Sequence, residues 1–69
     1  MDLYKFKNLT QRELEIARLV SCEMSDRQIA QKLGVSERTV RYYIRSACDK
    51  FLVETRVGLA VSYIKLVRD

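Results

Sequence analysis

The chain has 69 residues with no Pro, two Gly and 48% apolar side chains, which excludes linker, low-complexity and disordered classes and leaves room for one small core. Thirteen Lys and Arg against nine Asp and Glu give a net charge of +4, a balance that favours polyanionic partners without requiring one. The longest apolar runs, such as Phe51-Leu52-Val53, are too short to cross a membrane or to form a signal-peptide core.

The first eight residues hold Leu3, Tyr4 and Phe6 among charges and read as a tail or an extension packed on the domain that follows. Thr10-Gln11-Arg12-Glu13 then fits a capping box, with Leu9 and Leu14 spaced as a hydrophobic staple. Ser25-Asp26-Arg27-Gln28 repeats the box, with Met24 and Ile29 as its staple. Gly34 supplies a residue tolerant of positive φ after Leu33. Ser36 is the next cap, with Val35 and Val40 as staple, and Thr55 is a weaker fourth cap. These signals predict helices near 10–22, 25–33, 36–50 and 55–67, and no stretch alternates like a half-buried strand. The expected fold is all-α.

Within that order a short helix, a Gly-Val turn and a longer helix have the proportions of a helix-turn-helix. In this motif the second helix enters the major groove while the first braces it across the backbone. On the wheel of the third helix, Val40, Ile44, Ala47 and Phe51 form a core stripe. Arg38, Arg41, Tyr42, Arg45 and Asp49 lie opposite. Arginine carries a planar fork suited to guanine O6 and N7 or to phosphate, and tyrosine an apolar ring with a hydroxyl. The plainer alternative is a solvated face on which Arg45 and Asp49 pair at i, i+4.

The fourth helix carries two apolar stripes. Val57, Ala60, Val61 and Ile64 are expected on the core side, leaving Leu59, Tyr63 and Leu66 outward. Three covers suit the outward stripe: a second copy of the chain, another protein, or the N-terminal Leu3, Tyr4 and Phe6. Cys22 and Cys48 fall within helical patterns and read as small apolar residues in a reducing cytoplasm. With no His, a four-ligand zinc site from Cys and His is not available. Glu13 and Glu15 project about 200° apart on a helix, and there is no Gly-rich phosphate loop. Neither an enzyme nor a cofactor or metal is expected.

Leu9-Thr10-x-Arg12-Glu13, Ser25-Asp26-Arg27-Gln28-Ile29-Ala30 and Leu33-x-Val35-Ser36-x-x-Thr39-Val40-Arg41 resemble the LuxR/GerE-type helix-turn-helix domain. Lys50, Val53 and Arg56 fit the closing segment of that family. The resemblance covers about positions 9 to 61, with its parts in the right order and spacing. It implies a four-helix domain over 9–69 that binds double-stranded DNA as a transcription regulator, and a homodimer formed through the fourth helix. It implies groove contacts at Arg41, Tyr42 and Arg45, to which the wheel adds Arg38, and backbone contacts at Ser25, Arg27, Thr39 and Lys50. A palindromic site follows from dimer symmetry, with Leu59, Tyr63 and Leu66 as the expected dimer residues. Arg12 and Glu13 match positions that are mainly structural in the family. With only eight residues ahead of the domain, the resemblance is to the stand-alone kind of bacterial, cytoplasmic regulator. RNA polymerase is a further candidate partner.

The departures from the family pattern are local. Glu23 and Leu52 stand where members commonly carry Gly, which leaves the form of both turns open. Asp26 replaces a frequent Asn, Tyr43 a frequent His and Ser46 a frequent Asn. The competing function is a helix-turn-helix-fold module that binds the transcription machinery or another regulator rather than DNA.

Overall fold

The computed structural model describes residues 9–68. The expected packing of Leu3, Tyr4 and Phe6 lies outside them. Four helices follow in order: α1 (Gln11–Ser21), α2 (Asp26–Leu33), α3 (Glu37–Phe51) and α4 (Arg56–Arg68). Each starts where a hydroxyl satisfies an otherwise unpaired amide. Thr10 Oγ1 accepts from Glu13 N at 3.0 Å, and Glu13 Oε1 accepts from Thr10 N at 2.9 Å, closing the first box. Ser25 and Gln28 close the second at 3.1 and 2.8 Å. Ser36 Oγ accepts from Thr39 N at 3.0 Å, and Thr55 Oγ1 from Gly58 N at 2.9 Å. A Cβ at Gly58 would lie 3.1 Å from Val53 Cβ, so the small residue lets α4 begin close against the preceding turn.

The three ends share one backbone solution. Gly34 caps α2 at φ 70°. Leu52 caps α3 at φ 60° and Glu23 sits between α1 and α2 at φ 61°. Both turns therefore keep the left-handed form that glycine would adopt freely, although each holds a residue with a Cβ.

Ile16, Leu19, Ile29, Val40 and Leu59 are the largest fully buried side chains, one or more from each helix. The α3 stripe falls as its periodicity predicts: Val40, Ala47 and Phe51 are buried and Ile44 is half-buried against them. Cys48 joins this core, whereas Cys22 caps α1 and is exposed, correcting its reading as a buried residue. Cys22 lies one residue past the end of α1, beyond the buried stripe of Ile16, Leu19 and Val20.

The two faces of α4 are the reverse of the expectation. Leu59 is fully buried, and Tyr63 and Leu66 pack against the core, so none of the three forms an outward stripe. Val57, Val61 and Ile64 are exposed instead, and only Ala60 stays on the core side as expected. The reason is physical. A helix apolar around most of its circumference has no periodic signal to orient it. The Leu59, Tyr63 and Leu66 stripe turns to the core, and Val57, Val61 and Ile64 are left outward.

Candidate nucleic-acid interface

The helix-turn-helix pair α2–α3 presents one face that no other described element covers. Arg38, Arg41, Tyr42 and Arg45 are all exposed there, spread over two turns of α3. No ion pair occupies the three arginines among the described residues, and Arg45 does not bridge to Asp49. Long cations left without partners keep their forks available for an external anion or base edge. At the start of α2, Ser25 and Arg27 are exposed. Thr39, half-buried in the first turn of α3, accepts at Oγ1 a hydrogen bond from Ser36 Oγ at 2.9 Å.

Two polar clusters hold this face in place, and their links between helices have no local sequence signal. The Glu13 carboxylate is only 5% exposed. It accepts from the Ser46 hydroxyl, from Thr10 N and, at 3.2 Å, from Lys50 Nζ. Burial pushes this carboxyl up, but the Ser46, Thr10 and Lys50 donors outweigh burial and hold it at about 2. Lys50, expected at DNA phosphates, is thus turned to the flank of α3 that packs on α1. The second cluster joins α4 to α2. Arg56 donates to Asp26 Oδ1 and, at 2.6 Å, to the Met24 carbonyl. The carboxylate that replaces the family's frequent Asn is therefore matched by a cation, and its charge does not stand alone beside the α2 N-terminus.

On the same flank as Lys50, Tyr43 is half-buried and meets two side chains. Its ring centroid is 5.9 Å from that of Tyr42, edge-on at 61°, and the Arg12 guanidinium carbon lies 5.7 Å from it. Cys48 donates to the Thr55 carbonyl at 3.7 Å, and burial pushes its thiol up. Among the described residues no group of three or more His, Cys, Asp and Glu is placed to hold a metal ion. No described helix is long and apolar enough to cross a membrane.

Residues 7–63 match the family described as bacterial regulatory proteins, luxR family. The chain belongs to the LuxR family. Over 60 residues it is 35% identical to the nitrate/nitrite response regulator protein NarP of Escherichia coli, covering 87% of this chain and 28% of NarP. Over 58 residues it is 34% identical to the spore germination protein GerE of Bacillus subtilis, covering 84% of this chain and 78% of GerE. The transcriptional regulatory protein DesR of Bacillus subtilis is 40% identical over 57 residues, or 81% of this chain and 29% of DesR. The chain thus spans under a third of NarP and DesR but most of GerE. No solved structure matches it significantly. The four helices are those of a LuxR/GerE-type DNA-binding regulatory domain, and the family is one of regulators rather than enzymes.

Proposed function

We propose that this LuxR-family domain is a sequence-specific reader of double-stranded DNA that regulates transcription, with α3 in the major groove. The observation that carries this reading is the outward face of α3, where Arg38, Arg41 and Arg45 stand without ion pairs around Tyr42. Arginine forks on a groove-sized helix suit guanine edges, and α2, braced across the backbone, sets Ser25 and Arg27 toward phosphates. Thr39 joins them from the first turn of α3. Lys50 is left out of the contact set because Glu13 engages it. The regulatory names of NarP and DesR accord with this function.

The protein acts on this reading as a homodimer on a palindromic site, through the outward face of α4. Val57, Val61 and Ile64 form that face, at 72%, 44% and 38% exposure. A shallow groove of about 700 Å³, lined in part by Val20, Met24 and Ala60, continues it toward the α1–α2 turn. An apolar stripe of this kind marks a protein contact, and a second copy meets the need for two reading helices.

The test is selection of bound fragments from random duplex DNA, followed by titrations of the variants. Arg41→Ala or Arg45→Ala is expected to cost about 1–3 kcal/mol at the selected site and to relax preference at one base position. Arg27→Ala is expected to weaken all sequences alike and to flatten the salt dependence. Unchanged affinity in both Arg41→Ala and Arg45→Ala would remove α3 from the reading face. Capture of a protein without any duplex binding would favour the interaction-module alternative.

A further inference from the structure

Tyr42 is 69% exposed, yet its ring is not left to itself. It stands four residues after Arg38 and three before Arg45, so all three share one face of α3. The edge-on contact with Tyr43 abuts one side of it. Tyr43 in turn packs against the core and lies under the Arg12 guanidinium, which is itself drawn toward Glu15 at 3.4 Å. A line of contacts therefore runs from α1 through Tyr43 to the reading face. Edge-on aromatic pairs and guanidinium–ring contacts are both attractive, and they narrow the rotamers open to the outermost ring.

We infer that Arg12 and Tyr43 are positioning residues that hold the Tyr42 ring as a thymine-selective plate, taking the thymine 5-methyl group in the major groove. This rests on the DNA-reading face proposed above. An aromatic ring has little to offer guanine O6 and N7 or adenine N6 and N7, which call for forked donors or amides. The thymine methyl is the apolar group that the major groove displays. The arginines on either side of Tyr42 supply the polar contacts, and the ring adds the apolar one.

The experiment uses a duplex selected by the protein, with each thymine replaced in turn by deoxyuridine, which removes the methyl group alone. Wild-type protein is expected to bind about fourfold more weakly at one thymine, the effect of losing one buried methyl. That dependence should vanish in Tyr42→Ala, fall toward onefold in Tyr43→Leu and Arg12→Gln, and persist in Tyr43→Phe, which keeps the ring. Arg12→Gln alters a half-exposed side chain outside the core, so it reports on positioning even where Tyr43→Leu unfolds the domain. A methyl dependence that survives Tyr42→Ala overturns the assignment of the plate, and one that survives both Arg12→Gln and Tyr43→Leu overturns the positioning. Selective duplex binding with no methyl-sensitive thymine defeats the inference while the DNA-reading function stands. Loss of all duplex binding by the wild-type chain defeats that function itself.

Discussion

At the scale of single residues, charge is used in two opposite ways. The reading-face arginines are exposed and unpaired, whereas Glu13 is buried and fully engaged by Thr10, Ser46 and Lys50. Removing one partner of such a cluster costs more than the cluster contributes, because a buried group is left unsatisfied. Glu13→Gln is accordingly expected to lower stability by about 1–3 kcal/mol, as read by chemical denaturation. The carboxyl also couples folding to pH. Its value falls from 4.5 to about 2 on folding, so the unfolded chain binds its proton more readily. The Glu13 contribution is complete above pH 4.5 and is lost as pH falls through about 2. Denaturation midpoints should therefore decline over that window in the wild type and decline less in Glu13→Gln. Parallel decline in the two proteins would show that the carboxylate is not held low.

At the scale of helices, the turns carry stored backbone strain. Glu23 and Leu52 occupy left-handed conformations that cost a residue with a Cβ about 1–2 kcal/mol. Leu52 is 73% exposed, so truncating it sacrifices little packing. Glycine also enlarges the entropy of the unfolded chain, which offsets part of the gain. Leu52→Gly is therefore expected to stabilise the domain by about 0.5–1 kcal/mol, measured as a shift of the denaturation midpoint. A loss of stability would mean that the Leu52 side chain is held by contacts that outweigh its backbone strain. The helix starts were legible because Thr10, Ser25, Ser36 and Thr55 act on amides three residues away, within reach of local sequence. The face of α3 was legible because one side is apolar and the other cationic. On α4, apolar residues surround most of the helix, and the choice between Leu59 and Val61 depends on the shape of α1 across the core. The Glu13–Lys50 and Asp26–Arg56 pairs join residues 37 and 30 positions apart, a distance at which no spacing rule operates.

At the scale of the whole molecule, the decisive question is what covers α4. A single reading helix makes few base contacts, and selecting one site in a genome calls for more. A two-fold dimer adds a second reading helix through the same few residues. Its two α3 helices would enter successive major grooves about 34 Å apart, so the operator should be an imperfect palindrome with half-sites about ten base pairs apart. Because Leu59 is fully buried and Val61 is not, the two sides of α4 can be tested separately. Replacing Val61 and Ile64 with Lys is expected to leave the fold intact, abolish sedimentation as a dimer and reduce binding to independent occupation of each half-site. Leu59→Lys, by contrast, places a charge in the core and should unfold the chain. The wild-type melting temperature should rise with protein concentration, and that of the double variant should not. A double variant that still sediments as a dimer and still occupies both halves cooperatively would exclude the outward face of α4 as the joint. A wild-type chain that binds one non-palindromic site as a monomer would exclude the two-fold assembly.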